Sequence, residues 1–579
     1  MLRYQTLFFL LLVILFLPDT SFSEPSVQVS VLGVSDKLHE NVMSRLRIYR
    51  YSQDSELNDS EIRRLHKLAE TDIKSALAPY GFYSVEVESS LTRSEDSWLA
   101  QYQVKPGQPV VISSISVSVI GEGADLTDLL QPADMEFKEG QVLNQNLYEQ
   151  GKKQLLRQAL AHGFLDASYK TNEIRINRKK YLAEIILELD TGPRYQFGEI
   201  TSDQTILTDQ LLDGFIHIEA GEPFSPKLLQ ELQRDLYKSD YFSSVIIEKD
   251  TEQTNGLQIP IEIKLEPLKT YNRYSFGVGY STDTRAYLRV EWLNRLLNTR
   301  GHRIFSSLML GERESHAGFN YRIPVVDPRR NTLTGSVNWQ HETWEDTVTT
   351  SYSAGILYDY STPTHYYGFS LEKLNEDYRV GDTTGISQLL MPGLKWSWAL
   401  ADNIVTTENG LRATIELVGA DENVFSDATF VKLWAAGKAI ISPIKQWRII
   451  ARGSFGTTIV DSIDSIPPSL RFYAGGEKSV RGYQYRSLGP RDSSDTVIGG
   501  RYLLTGGIEC ERQFTKLWRG AIFYDVGNAM DDIEVDLAHG VGAGIGLVLP
   551  FGQARLDFAY PLNDEGEAQY VYLSVGADL

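Results

Sequence analysis

The feature that most constrains this chain is the alternation of apolar and polar residues that fills its C-terminal half. From Tyr271 onward helical periodicity stops, and sixteen segments of about ten residues follow, separated by turn-rich stretches. An even number of strands of this length, each with one apolar and one polar face, is typical of an outer-membrane barrel. The pattern predicts a 16-stranded antiparallel transmembrane β-barrel over residues 268–579, and a soluble β-sandwich is the alternative.

The last segments predict what each face of a strand contacts. Across 540–549 glycines alternate with apolar residues, so we expect a lipid-facing apolar side and a bare lumen side with something bulky against it. The final segment, 568–579, has Leu573 and Val575 on one face and Tyr572 on the other. Since the chain ends on this strand, we expect it to meet the first strand of the barrel at a seam.

Composition and charge exclude several classes of protein. The 56 Lys and Arg against 76 Asp and Glu among 579 residues give a net charge of −20, which argues against nucleic-acid binding. The single cysteine, Cys510, excludes an internal disulfide and a cysteine-rich metal site. The mean hydropathy of −0.24 excludes a multi-helix membrane protein, whereas a barrel with a polar lumen is compatible with it.

The N-terminal residues predict an export signal. Arg3 precedes an uninterrupted apolar run over 7–17, and Ser21 and Ser23 form a small-x-small cleavage pattern. The run is too short to cross a bilayer of about 30 Å as a helix. We therefore predict a signal peptide over residues 1–23, with an N-terminal membrane anchor as the alternative.

Residues 26–267 show one order of signals three times. Each unit has a strand, two helical patterns, a tight corner and two further strands, and the corners fall at Gly81, Gly163 and Asp240. Each unit exposes a strand edge that is able to pair with an extended segment of another chain, and a role as a rigid spacer is the alternative. The predicted α+β repeats are 26–106, 107–191 and 192–267.

One connection in the barrel, over 461–495, is far longer than the others and is rich in aromatic residues and glycine. Loops of this length are usually functional or disordered, and this composition is a poor fit to disorder. The alternation places Asp525 and, separately, Glu509 in the lumen. Arg481 of the loop could meet both carboxylates in fork geometry, since a buried charge requires a partner. A solvated loop charge is the alternative for Arg481.

Several motifs resemble those of the BamA/TamA/two-partner-secretion superfamily of outer-membrane barrels, and the repeats resemble its POTRA domains. BamA-like members usually carry five such repeats and secretion partners carry two, whereas the TamA family carries three. The resemblance to the TamA family covers essentially the whole chain, including an end on a leucine where the superfamily usually has an aromatic residue. The matching motifs are Phe472-Tyr473-Ala474-Gly475-Gly476, Val480-Arg481-Gly482-Tyr483, Phe523-Tyr524-Asp525-Val526-Gly527-Asn528 and 549–562.

The resemblance implies roles for individual residues. Arg481 is expected to hold the loop in the lumen, with Asp525 as its acidic partner and Glu509 as a second one. The loop motif is Val480, Arg481, Gly482 and Tyr483, supported by Phe472, Gly475 and Gly476. A weak seam is expected between strands 1 and 16, and the residues assigned to it are Ser275, Gly277, Gly279, Leu573, Val575 and Leu579.

The resemblance also implies a function and partners. Such a protein would lie in the outer membrane, with its POTRA domains in the periplasm, and would help to fold and insert autotransporters and other β-barrel clients. Client strands would pair with the opened seam and be released into the lipid bilayer. A TamB-like protein anchored in the inner membrane is the expected partner, docking on the first repeat. No nucleotide or other cofactor is expected, because client folding supplies the driving force. No metal and no nucleic-acid partner are expected either.

No catalytic motif is recognisable, and we expect no enzymatic activity. His341-Glu342-Thr343-Trp344-Glu345 lacks the second His of a zinc-protease helix, and the glycines over 540–546 follow no dinucleotide-binding fingerprint. Two other functions stay open, namely a two-partner secretion transporter and a passive porin or receptor with a periplasmic arm. Three repeats disfavour the first, and a buried arginine–acid contact has no use in the second.

Overall fold

The structure, a computed structural model, describes residues 27–52, 57–94, 97–126, 134–249, 256–281, 283, 285–532, 536–550, 552–563 and 569–576. The predicted signal peptide over 1–23 and the predicted seam residue Leu579 lie outside these ranges. The chain forms two compact units, and the division runs through the third repeat, whose segments 201–217 and 230–248 group with the C-terminal half. No helix in the described ranges is long and apolar enough to cross a bilayer.

Each of the three repeats contains a three-stranded sheet whose central strand is the last in sequence. In the first two repeats the opening strand pairs in parallel with that central strand and the middle strand pairs with it antiparallel. The elements are β1 (Val27–Leu32), α1 (Asp36–Arg45), α2 (Arg47–Arg50), α3 (Asp59–Leu77), β2 (Glu86–Arg93) and β3 (Trp98–Lys105); β4 (Val111–Ile120), α4 (Gln145–Ala161), β5 (Ser168–Asn177) and β6 (Leu182–Asp190); and β7 (Gln196–Ser202), α5 (Asp209–Asp213), α6 (Pro226–Lys238), β8 (Phe242–Lys249) and β9 (Gln258–Pro267).

Local sequence explains the long helix of the first repeat. The Asn58 side chain caps α3 by accepting a hydrogen bond of 2.9 Å from the backbone N–H of Glu61. Apolar residues three or four positions apart then form one buried stripe that packs on the sheet. Each buried Ile or Leu side chain stabilises the repeat by about 1.5–3 kcal/mol. The stripe consists of Ile62, Leu65, Ala69, Ile73 and Leu77.

The three predicted corners share one backbone conformation. Gly81, Gly163 and Asp240 have φ values of +88°, +93° and +59°, which is the left-handed region. Glycine adopts this region without strain and aspartate tolerates it better than most residues. The recurrence of these residues therefore marks the same turn between the long helix and the second strand of each repeat.

The C-terminal half confirms the predicted 16-stranded barrel. In the described residues β10 to β25 form one sheet in sequence order, and each strand pairs antiparallel with the next. The strands are β10 (Asn272–Ser281), β11 (Arg285–Asn294), β12 (Arg303–Gly311), β13 (Glu314–Pro324), β14 (Asn331–Trp344), β15 (Thr347–Ser361), β16 (His365–Val380), β17 (Thr383–Ala401), β18 (Gly410–Ala420), β19 (Phe430–Ile444), β20 (Trp447–Val460), β21 (Tyr502–Gln513), β22 (Trp518–Met530), β23 (Ala538–Leu549), β24 (Gly552–Pro561) and β25 (Tyr570–Gly576).

The two faces of the barrel strands differ in burial. On β22, Ile522 is 64% exposed on the outer face and Asp525 is fully buried on the lumen face, beside buried Phe523. Cys510 pairs with Ile522 across the β21–β22 ladder and so lies on the outer face. The alternation therefore separates lipid-facing apolar residues from a polar lumen.

The connection between β20 and β21 folds back on itself. Short 3₁₀ turns follow β20 over 463–470, and a bridge joins Phe472 to Gly500 through two backbone hydrogen bonds of 2.8 and 2.9 Å. Since β21 begins only at Tyr502, the connection runs over 461–501. The predicted end at 495 is too early, because the next residues pair within the loop and not with the barrel sheet.

Candidate functional site

The centre of the lumen loop, defined as residues 461–501, is buried inside the barrel. Val480, Arg481 and Tyr483 are each at most 4% exposed. Gly482 has a φ of +101°, and a Cβ there would lie 3.0 Å from backbone atoms of β24. Only glycine fits this position, so the loop backbone packs directly on the barrel wall.

The glycine face of β23 makes room for the loop. A Cβ at Gly540 would overlap the carbonyl oxygen of Arg481, and a Cβ at Gly544 would overlap the carboxylate of Asp557. The bulky group that the sequence predicts against this face is therefore the loop backbone together with side chains of the adjoining strands.

Arg481 contacts three carboxylates. Its Nε donates to Asp525 Oδ2 at 2.6 Å and its Nη2 donates to Asp525 Oδ1 at 3.1 Å, which is fork geometry. Its Nη1 donates to Glu509 Oε2 at 3.0 Å and to Asp557 Oδ2 at 2.9 Å. The guanidinium carbon lies 3.4 Å from the centre of the Phe523 ring. Together, the four hydrogen bonds and the ring contact fix the plane of the guanidinium.

A wider network surrounds this arginine and is balanced in charge. Arg452 donates to Asp525 at 2.9 Å and Arg555 donates to Asp557 at 2.9 Å. Within the described residues no group of three or more His, Cys, Asp or Glu is arranged to hold a metal. Each acidic side chain of this network contacts a guanidinium. The network consists of Arg448, Arg452, Arg481 and Arg555 with Glu509, Glu511, Asp525 and Asp557.

The structure brings together the three residues that the sequence nominated, Arg481, Asp525 and Glu509. Sequence reasoning missed Asp557, which contacts the same guanidinium. Strand alternation is the signal that identifies Asp557. Because Phe558 lies on the outer face of β24, Asp557 and Arg555, one and three positions earlier, face the lumen.

The residues predicted to support the loop lie at its base. Phe472 is buried, and the Lys432 ammonium lies 4.4 Å from the centre of its ring. Gly475 and Gly476 have φ values of +96° and +100°, and a Cβ at either position would overlap neighbouring atoms. These positions therefore require glycine for both conformation and space.

The first and last strands of the sheet meet at a seam. In the described residues β10 and β25 stand at the two ends of the sheet and share no ladder. Leu573 and Val575 on β25 are 42% and 63% exposed on the outer face. On β10 the predicted residues alternate with strongly exposed aromatic and aliphatic side chains, and they are Ser275, Gly277 and Gly279.

The lumen loop contacts both sides of this seam. The Tyr572 hydroxyl on β25 accepts from the Gly482 N–H at 3.1 Å and donates to the Tyr483 carbonyl at 2.8 Å. Asp283, directly after β10, accepts from the Glu477 N–H at 3.1 Å. Burial raises the pKa of Asp283 to about 6. The loop therefore makes hydrogen bonds, from inside the barrel, to residues on both sides of the seam.

A cavity of about 1000 Å³ lies beside the loop and reaches the seam. Val278 and Gly279 line it from β10, and Leu573 and Val575 line it from β25. The same cavity borders Arg481. The interior therefore has space next to the seam.

Comparison with protein families matches three parts of the chain. The description "Omp85 superfamily domain" matches residues 297–578. "POTRA domain TamA domain 1" matches residues 28–106, and the POTRA family described as "Surface antigen variable number repeat" matches residues 195–267. The barrel and two of the three repeats are thus each recognised by sequence.

Individual proteins are similar at low sequence identity. The outer membrane protein assembly factor BamA of Nitratidesulfovibrio vulgaris is 23% identical over 420 residues, 68% of this chain, and the match spans about half the length of that relative. The crystal structure of Haemophilus ducreyi BamA lacking POTRA domains 1–3 has a TM-score of 0.66 at 16% identity and covers 81% of this chain and 99% of that one. CdiB from Escherichia coli has a TM-score of 0.46 at 11% identity over 90% of this chain and 99% of that one.

Proposed function

Because this chain is an outer-membrane barrel of the Omp85 superfamily with periplasmic POTRA domains, we propose that it is a TamA-type factor that folds and inserts other outer-membrane proteins. The observation that carries this proposal is the seam, where β10 and β25 share no ladder in the described residues and are joined through the lumen loop. The match of residues 28–106 to a TamA-type POTRA domain supports the TamA branch.

The proposed mechanism uses the facing edges of β10 and β25 at the seam. An exposed strand edge offers a row of backbone N–H and C=O groups, which an incoming client strand satisfies by β-augmentation. Each added client strand leaves a new edge for the next one, so a client hairpin can grow between β10 and β25. The client then closes on itself and leaves into lipid.

No chemical step is required in this mechanism, so we propose that the protein is not an enzyme. In lipid every unpaired backbone polar group costs several kcal/mol, and a client gains that free energy as its own strands pair. The barrel supplies a template and a way out, and the clients proposed are autotransporters and other β-barrel proteins.

We propose that a TamB-like protein binds the POTRA array at the first repeat. The edge strand β2 (Glu86–Arg93) has mostly exposed side chains and lies at the outside of its sheet, which supports strand addition there. Removing residues 26–106 is expected to abolish partner pull-down while the barrel still inserts. Unchanged pull-down would place the docking surface elsewhere.

Disulfide trapping across the seam tests the proposed function. With Cys510 replaced by serine, one cysteine replaces Phe276 or Val278 on β10 and one replaces Leu573 or Val575 on β25. We expect the oxidised protein to lose surface display of an autotransporter client and to regain it on reduction.

The matched control places both cysteines on one side of the seam, at Val278 and Leu288, which face each other in the β10–β11 ladder. This pair should leave display unchanged when oxidised. If a locked seam still supports display, clients do not leave there, and transport through the lumen, as in a two-partner secretion transporter, becomes the better account.

A further inference from the structure

The third repeat contacts the barrel at the turn between β11 and β12. The Tyr241 hydroxyl donates to the Gly301 carbonyl at 2.8 Å, and the Thr208 N–H donates to the Thr299 carbonyl at 2.9 Å. Gly301 has a φ of +77°, and a Cβ there would lie 2.7 Å from the Tyr241 hydroxyl oxygen. The turn is therefore held closely against the repeat.

A cavity of about 250 Å³ lies at this contact, and its charged lining is mostly cationic. Arg303 and Arg322 line it from the barrel strands, and Lys238 lines it from the end of α6. Arg329 also lines it, but its guanidinium is 2.8 Å from Asp327 and is also shared with Asp235. The positive charge that is left comes from Arg303, Arg322 and Lys238.

Arg303 and Arg322 stand directly opposite each other in the β12–β13 ladder. Like charges in this position destabilise a sheet. Among the described residues neither guanidinium has a carboxylate oxygen within 4.0 Å. Arg303 is instead held by the Ser239 carbonyl and lies 4.4 Å from the centre of the Tyr241 ring, and Arg322 lies 5.7 Å from the Phe305 ring centre. Asp359 on β15 faces Arg322 at longer range and offsets part of its charge, but no carboxylate in the part of the chain that the structure describes contacts either guanidinium directly.

We propose that this cavity binds a phosphate group, carried either by an anionic phospholipid headgroup or by a small soluble phosphate. Two guanidiniums present fork donors that match phosphate oxygens, and the lysine adds a third cation. Three cations suit a phosphate better than a singly charged carboxylate. A phosphate bound there relieves the repulsion of the arginine pair and joins Lys238 of the repeat to the barrel wall.

Phosphate binding is tested on the full-length protein in phosphate-free detergent solution. Glycerol phosphate is titrated while the unfolding temperature is followed, since a ligand that binds only the folded state raises it in a dose-dependent way. We expect Arg322→Gln, at an exposed position, to unfold at an equal or higher temperature without glycerol phosphate and to lose at least tenfold in apparent affinity. Arg330→Gln is the matched control, because Arg330 lies in the neighbouring turn and does not line the cavity.

A second arm identifies the source of the phosphate. The protein is reconstituted in nanodiscs with phosphatidylglycerol or with phosphatidylcholine only, and co-released lipid is counted by native mass spectrometry. Retained phosphatidylglycerol that is lost in Arg322→Gln and in Lys238→Gln indicates a lipid headgroup, whereas a response to glycerol phosphate alone indicates a soluble ligand. Equal binding of either probe to the parent protein, Arg322→Gln and Lys238→Gln overturns the proposal, as does an equal loss in Arg330→Gln.

Discussion

Replacing Arg481 with alanine is expected to destabilise the barrel by about 3 kcal/mol. The substitution removes four hydrogen bonds to three buried carboxylates and leaves four acids facing three guanidiniums. Breaking a buried ion pair costs about 3–5 kcal/mol when one charge is left uncompensated. We expect the lower end of this range, because Arg452 still reaches Asp525 and Arg555 still reaches Glu509 and Asp557.

The measurement is urea unfolding of the protein in phospholipid vesicles, followed by heat-modifiable gel mobility. Lys478→Ala, an exposed cation in the same loop, is the control and should change the free energy of unfolding by less than about 0.5 kcal/mol. Adding Asp525→Asn to Arg481→Ala leaves three acids facing three guanidiniums, and it should recover part of the lost free energy of unfolding. A loss below about 1 kcal/mol, or full additivity of the two changes, would refute the argument from charge balance.

Four further outcomes are expected. Tyr572→Phe removes a hydroxyl that bonds the loop backbone, so seam cysteines should cross-link faster and stability should fall by about 1–2 kcal/mol. Gly544→Ala places a methyl group on the Asp557 carboxylate and should expose the loop to added protease. Cys510 should react with lipid-soluble maleimides and not with water-soluble ones, and the reverse would shift the β21 alternation by one residue. Burial lowers the pKa of His66, so the unfolded chain binds the proton more readily and stability of the first repeat should fall as pH drops through about 6.5; His66→Gln should flatten that dependence in a fluorescence-monitored titration.

The strand pattern could be predicted from sequence because the period of a strand is two. Once Ile522 and Tyr524 are assigned to lipid, Phe523 and Asp525 must face the lumen, and no knowledge of neighbouring strands is needed. The corner at Gly81 was visible for a similar reason, since few residues other than glycine adopt its backbone conformation. Local rules of this kind predict the conformation and the buried face of a single strand or turn.

Contacts between elements could not be predicted in the same way. Arg452 and Arg481 both bind Asp525. This contact depends on the stagger between β20 and β22, which is set by the registers of the β20–β21 and β21–β22 ladders. The contact of Tyr572 with the loop backbone depends on the path of a 41-residue connection (461–501) that has no repeating pattern. Hydrophobic alternation predicts neither the stagger of neighbouring strands nor the path of an irregular loop.

The order of the chain gives the buried arginine a consequence for folding. Every carboxylate that Arg481 binds, Glu509, Asp525 and Asp557, comes later in the sequence, by 28, 44 and 76 residues. A loop that entered an incomplete barrel would carry a desolvated cation with nothing opposite it. Such long-range contacts also form slowly. We therefore expect entry of the loop and closure of the barrel to be coupled and late, with the interior of a nascent barrel open to water until its last strands arrive.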